Sequence, residues 1–320
     1  MSAAAKSRAR QLYGYFESGQ SAQLFAAFSQ KLKKATSAAK VATMEKEMST
    51  QMGHEEKMLG ENFAPDLLSK ITVYSRFSQF TKSKEPLFTV VLVDEQGQVA
   101  MIQPRPMPPA PGNRYTDYKV KTKLMLPFTG EWFVYQGGRE IYQNSDAYRD
   151  AERYSMVFTV LKDGQAFSGD GTKNEQFYCY GAPVAAPADG TVVMVNDTFA
   201  DNLPGRPEQV MPNGNRVLIS HGHQEYSLLL HLKQGSVKVK SGDKVKQGDV
   251  VAECGNSGNS PAPHLEYRLQ NSKGVPFPLT LPAQFVDYVA DGKAVASGEP
   301  VRGQFVRNAT EAAPAAAEKK

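Results

Sequence analysis

Apolar residues recur at three- and four-residue spacings through ARQLYGYFESGQSAQLFAAFSQKLKKA and again through KVATMEKEMSTQMGHEEKML. This pattern predicts helices from about Arg8 to Ala64, punctuated by Gly14, Gly19 and Gly53. In LSKITVYSRFSQF and PLFTVVLVDEQGQVAMIQPRP the period changes to two around a turn-like DEQG, as in strands of a curved antiparallel sheet. Residues 9–103 are therefore expected to form an α+β domain, helices first and sheet second, after a flexible N-terminus over residues 1–8. The prolines of PRPMPPAPGNRY break both periods, and residues 104–115 read as a stiff linker. From 116 to 306 the pattern is mainly β: KLMLPF, EWFVYQG, RYSMVFTVL, EQFYCYG, GTVVMVND, NRVLISHG, YSLLLHL, GSVKV and DVVAECG, divided by Gly, Asn, Asp and Pro turns. Residues 307–320 carry no core face and read as a disordered tail.

A length of 320 residues suits this division into two domains, each able to bury its own core. Hydrophobic residues at 41% and charged residues at 22% describe a globular chain, and no apolar run approaches the ~20 residues of a membrane span. The net charge of +4 is scattered rather than gathered on a basic helix with interleaved aromatics, so a nucleic-acid partner is not expected. MSAAAKSRAR has a charged start but no apolar stretch after it, so it does not read as a signal peptide. Two cysteines, Cys179 and Cys254, are too few for a disulfide scaffold or a cysteine zinc site. Neighbouring strands can bring them together as one bridge, or they are two buried thiols acting as small hydrophobes.

Four of the five histidines fall between 221 and 264. His231 ends the apolar YSLLLHL, and His264 follows the Gly/Asn/Ser/Pro loop of GNSGNSPAPHLEYRL; an imidazole at a strand end beside a tight loop can project into a groove. His221 and His223 form an H-x-H pair that would share a face on a strand, although a G-H-Q turn exposes both. His54 reads as a solvated residue at a helix start. Tyr13, Phe16, Phe25, Phe28 and Phe77 can line a pocket, but their spacings favour core.

GAPVAAPADGTVV (181–193), GNRVLISHG (214–222) and YSLLLHLKQGSVKVKSGDKVKQGDVVAECGNSGNSPAPHLEYRL (226–269), with LPFTGEW (126–132) and NSDAYRDAERYSMVF (144–158) upstream, resemble the lysostaphin-like or LytM-type zinc endopeptidases that cut peptide cross-links in bacterial peptidoglycan. The resemblance implies a LytM-like β-sandwich with a β-hairpin core. It also implies a site in which zinc is held by a His, an Asp and the second His of an HLH motif, assisted by two further histidines. The assisting positions fall on His231 and His264. The ligand positions fall on Asp146, Val157 and Glu266, because the motif here is HLE. Val157 donates nothing, and two carboxylates without an imidazole suit a hard cation or solvent better than tight zinc. No metal is therefore expected.

The resemblance implies a non-catalytic cell-envelope protein, periplasmic or secreted if a signal peptide has been removed. Its partners would be a peptidoglycan stem peptide or a cell-wall hydrolase, with Asn256, Asn259 and Tyr267 beside the histidines in the groove. Two alternatives stand beside it: an active metallo-endopeptidase with an atypical ligand set, which would hold zinc, and a purely structural adaptor. The N-terminal region resembles, loosely and without a motif, the α+β domains related to nuclear transport factor two.

Overall fold

A computed structural model of the chain describes residues 3–107, 115–274 and 278–310. The chain divides into two compact units, Met1–Ala110 and Pro111–Lys320. The described part of the first unit places helices α1 (Ala3–Glu17), α2 (Ser21–Ala26), α3 (Gln30–Ala35) and α4 (Ala38–Met52) ahead of strands β1 (Glu55–Pro65), β2 (Thr72–Phe80), β3 (Leu87–Val93) and β4 (Val99–Pro106). The strands form an antiparallel sheet in the order β1-β2-β3-β4, so the expected helices-then-sheet order holds. Helix α1 buries Ala9, Leu12, Tyr13 and Phe16, a stripe at helical spacing, and these pack with Tyr74, Val91, Val93 and Val99 of the sheet. Phe28 and Phe77 are buried and Phe25 packs against the same cluster, so the aromatics are core.

Local chemistry shortens the predicted helices. Ser29 and Ser37 accept from the backbone N–H of Leu32 and Lys40, starting α3 and α4 as separate helices. Helix α4 stops at Gly53, which has φ 79°, a conformation that only glycine adopts at little cost. Residues 55–64, expected to be helical, are strand: Met58 and Leu59, which suggested a helical stripe, are exposed, and pairing with β2 holds the segment extended. His54 is exposed just ahead of β1 and starts no helix.

The expected boundaries also move. Residues 3–8 belong to α1 rather than to a flexible terminus, and residues 1–2 lie outside the described residues. Pro104 and Pro106 lie in β4, paired with Thr89 and Leu87, because an edge strand tolerates proline on its unpaired side. Residues 108–114 of the expected linker lie outside the described residues.

The second unit contains β5 (Trp132–Gln136), β6 (Met156–Thr159), β7 (Pro183–Ala185), β8 (Gly190–Asn196), β9 (Asn215–Ser220), β10 (Tyr226–Leu232), β11 (Lys244–Val245), β12 (Val250–Glu253), β13 (Leu265–Gln270), β14 (Thr280–Leu281), β15 (Phe285–Ala290), β16 (Lys293–Gly298) and β17 (Phe305–Asn308). The main antiparallel sheet runs β11-β8-β9-β10-β13-β6-β5-β17-β15-β16, with β14 beside β13, and β7 and β12 make a second small sheet. Val184, Val251 and Ala252 of the small sheet share one buried cluster with Val217, Ile219, Leu229, Tyr267 and Phe285 of the large one, so the unit is two β layers closed over a common core. Phe128 stacks on Trp132 at 4.7 Å and meets Phe158 edge-on at 5.1 Å within that core. KLMLPF and EQFYCYG contribute isolated bridges, Leu124 to Phe285 and Phe167 to Phe177, instead of strands; GSVKV is irregular.

The segment from Arg307 was expected to be a disordered tail, yet Arg307 and Asn308 close β17. Asn308 is 3% exposed. Its Oδ1 accepts from Leu126 N–H at 3.1 Å, and its Nδ2 donates to the carbonyls of Leu126 and Phe128 at 3.2 and 2.8 Å. Residues 311–320 lie outside the described residues. Replacing Asn308 with Ala leaves those buried backbone groups unpaired, and a loss of about 2–4 kcal/mol is expected. Urea unfolding at pH 7 measures it; a loss under about 0.5 kcal/mol would mean that the C-terminal strand is not anchored here.

Candidate functional site

Strand alternation sorts the side chains of the central strands. Leu265, Tyr267 and Leu269 of β13 and Leu229 of β10 point into the core. Glu266 and Arg268 take the opposite face of the sheet, with their cross-strand partners Leu230 and Leu228. One lateral row on this face runs Arg216–Leu230–Glu266–Val157–Gln136 across β9, β10, β13, β6 and β5.

His231 reaches the same neighbourhood by a bulge. Leu230 pairs with Arg216 and Leu232 with Asn215, leaving His231 as an extra residue with φ 61°. This left-handed turn swings its ring towards Glu266. Gly255 sits against the strand end, where a side chain would strike the backbone of Leu232 and Lys233. His231 Nδ1 lies 2.8 Å from the carbonyl of Ser257 and Nε2 lies 3.0 Å from Glu266 Oε2. Both ring nitrogens of His231 are thus engaged by oxygen atoms inside the protein.

His264 is fixed from its own loop. Its Nδ1 donates to the carbonyl of Ala262 at 2.8 Å, with Ser260 Oγ at 3.2 Å, and its ring lies 4.7 Å from that of His231. Burial first, and then the charge of His231, lower its pKa to about 4. Donor atoms of His231, His264 and Glu266 lie within 4.8 Å of one another, a grouping able in composition to hold a metal ion.

Glu266 is the centre of the cluster. Burial pushes its carboxyl up, but the charge of Arg268 and the hydrogen bond and charge of His231 outweigh that and hold it well below the usual carboxylate range. Arg268 Nε donates to Glu266 Oε1 at 2.6 Å and Nη2 to Glu152 Oε1 at 3.0 Å. Arg149 bonds Glu152 at 2.6 Å and approaches Asp146 to 3.6 Å. The charges thus alternate from Asp146 through Arg149, Glu152 and Arg268 to Glu266. Gln136 Nε2 donates to Asp146 Oδ2 at 2.6 Å. Burial, and the nearby charges of Glu152 and Glu266, raise the Asp146 pKa in spite of that bond and of Arg149.

The structure therefore brings His231, His264 and Glu266 together, puts Val157 directly across from Glu266, and ties Asp146 in through ion pairs. Of the three further groove residues expected from the sequence, Tyr267 and Asn256 do other work. Tyr267 is in the core, its hydroxyl 2.9 Å from Ser227 Oγ, because it alternates with Glu266. Asn256 is fully buried and its Nδ2 donates to Asn174 Oδ1 and the carbonyl of Asn202, so it ties loops together. Asn259 is exposed, and its backbone N–H bonds Pro212. His221 is not solvated as expected: its ring bonds the Asp189 carbonyl and Ser227 Oγ at 2.8 Å each, and burial lowers its pKa. His223 is exposed in the turn, so the pair shares no face. Cys179 and Cys254 are free, buried and hydrogen-bonded to each other, and Cys179 Sγ lies 3.1 Å from the Pro263 carbonyl.

The sequence reading missed Arg268, Glu152 and Arg149. Arg268 had a signal, since i and i+2 on a strand share a face with Glu266. The partners at 149 and 152 had none, being over a hundred residues away in the chain.

Residues 175–277 match the family model described as Peptidase family M23. The chain carries an M23 domain. An uncharacterized metalloprotease of Haemophilus influenzae is 36% identical over 101 residues, 32% of this chain and 18% of that protein. The peptidoglycan DD-endopeptidase ShyA of Vibrio cholerae is 37% identical over 90 residues, 28% of this chain and 17% of that protein. This chain thus spans under a fifth of the length of either relative. Among solved structures, the catalytic domain of the antimicrobial peptidase lysostaphin from Staphylococcus simulans aligns at 21% identity over 48% of this chain and 88% of that one, with a TM-score of 0.28.

Zinc is typical of M23 domains, so its fit to these residues matters. Tetrahedral zinc draws its donors to about 2.0–2.2 Å from itself and needs their lone pairs free. Here both nitrogens of His231 and both oxygens of Glu266 are engaged inside the protein, and the guanidinium of Arg268 stands against the same carboxylate. A divalent ion would have to break the His231–Glu266 pair and sit beside a fixed positive charge. As arranged, the donor set fits catalytic zinc poorly.

Two acid losses follow from the shifts. His264 folds with a pKa near 4 against an ordinary 6.5, so its contribution is complete above pH 6.5 and is lost as pH falls towards 4. Glu266 is also depressed, so a second loss begins near its ordinary 4.5 and continues below. Stability measured by urea unfolding is expected to fall in both windows, and His264→Gln to flatten only the upper one. An NMR titration of His264 with its midpoint near 6.5 would contradict the first assignment.

Proposed function

We propose that this M23 domain is a non-catalytic, peptide-binding member of its family, working in the cell envelope on a peptidoglycan stem peptide or on a partner hydrolase. The single observation that carries the reading is the ion pair between Arg268 and Glu266 at 2.6 Å. A guanidinium supplies, within the chain, the positive charge that a metal supplies in a working metallopeptidase, and it does so without an open coordination position or a bound water. Val157 opposite Glu266 adds an aliphatic side chain where the family resemblance puts a ligand. Without an electrophile, the cluster can orient and bond a peptide but has nothing to polarise its carbonyl. The M23 match and the likeness to a peptidoglycan endopeptidase support the ligand class. Among the described residues no helix is long and apolar enough to cross a membrane. An envelope location is inferred from the family.

A second reading has one observation in its favour. The convergence of His231, His264 and Glu266 within 4.8 Å would suit an atypical metallo-endopeptidase if Arg268 could swing away. Metal analysis after purification in zinc separates the two. The non-catalytic reading expects well under one zinc per chain, no release of peptides from peptidoglycan, and binding to peptidoglycan that weakens when His231 and His264 are both replaced by Ala. One tightly held zinc, lost in Glu266→Ala, together with cleavage, would replace it by the second reading. Zinc binding is expected to appear only when Arg268→Gln is added to Asp146→His, Val157→Asp and Glu266→His.

A further inference from the structure

Among the described residues, several buried or half-buried arginines have charged or aromatic partners. Arg76, Arg139 and Arg268 lie on carboxylates, and Arg153 and Arg302 lie over tyrosine rings. Arg216 has neither among the described residues. Burial alone lowers its pKa, with no anion nearby to offset the cost. Its Nη1 donates to the carbonyl of Gly214 at 3.3 Å, leaving other donors of the planar fork free.

Its place gives that cation a use. Arg216 occupies the same lateral row as Glu266, with the fully buried Leu230 between them, two strand spacings or about 10 Å away. The loop that holds His231 also fixes Arg216. Asn215 N–H donates to Ser257 Oγ at 2.9 Å, Gly214 packs against Ser257, and the Ser257 carbonyl takes His231. Arg216 is therefore held at a set distance from the His231–His264 cluster, beyond an apolar step.

We propose that Arg216 is the anchor for a carboxylate of the bound peptide, so that the ligand is an acidic peptide lying along the row from Arg216 towards His231. A guanidinium and a carboxylate match in plane and bond spacing. The inference rests on the peptide-binding reading above and specifies which chemical group that site selects.

The test uses the full chain with N-acetyl-D-alanyl-D-alanine, its C-terminal amide, and a soluble muropeptide with a free terminal carboxylate. A C-terminally amidated peptide with one glutamate separates a side-chain from a terminal carboxylate, and binding of either supports the proposal. The expected result is a shift of the Arg216 Nε–H NMR signal and binding at least about tenfold tighter for the carboxylate than for the amide. Arg216→Gln should abolish that preference while its near-ultraviolet circular dichroism stays unchanged, and Arg216→Lys should keep part of it. Equal binding of acid and amide, or a preference that survives in Arg216→Gln, overturns the proposal and leaves the peptide-binding reading standing. No muropeptide binding together with an unmoved Arg216 signal overturns both. A moved signal without muropeptide binding keeps the carboxylate site and removes the stem peptide as its ligand.

Discussion

The Glu266 carboxylate is drawn out of water between a guanidinium and an imidazole, and most of the C-terminal face is arranged around keeping it there. A buried carboxylate is costly unless every lone pair is met. Arg268 meets one oxygen and His231 the other. Each of these two side chains has its own support, which Glu152 and the Ser257 carbonyl provide. Removing any one member leaves a charge buried without its partner, so the group behaves as a unit rather than as separate contacts.

That constraint explains why a domain with M23 architecture presents such a closed cluster. The bulge at His231, the tight approach of Gly255 and the loop bonds of His264 aim two imidazoles at one point. An internal cation neutralises the carboxylate and takes up its lone pairs, and Val157 contributes only a hydrocarbon surface. Recognition needs oriented donors and acceptors around a shaped surface, whereas hydrolysis needs an open coordination position.

The N-terminal unit stands on different physics. Its helical stripe and its sheet share one apolar cluster, and the ion pairs of Glu55 and Glu61 with Arg76 and Arg10 lie beside it. Tyr13 and Tyr74 donate their hydroxyls to those carboxylates at 2.7 and 2.9 Å, so each ring is core at its base and polar at its tip.

The sequence alone determined the order of elements, the two-unit plan, and the contexts of His231 and His264, because periodicity and turn residues are local properties. It also marked Glu266, through its place two residues after His264 in PHLEYRL. It misjudged residues 55–64, where spacing mimicked a helix and only pairing with β2 could decide. Strand alternation put Arg268 on the face of Glu266 and Tyr267 on the other, but which face is core, which loops bury Asn256, and that Glu152 joins Arg268 are set by contacts between distant segments. Which cation lies against Glu266 is likewise decided only by the fold, which places Arg268 Nε at 2.6 Å from its carboxylate.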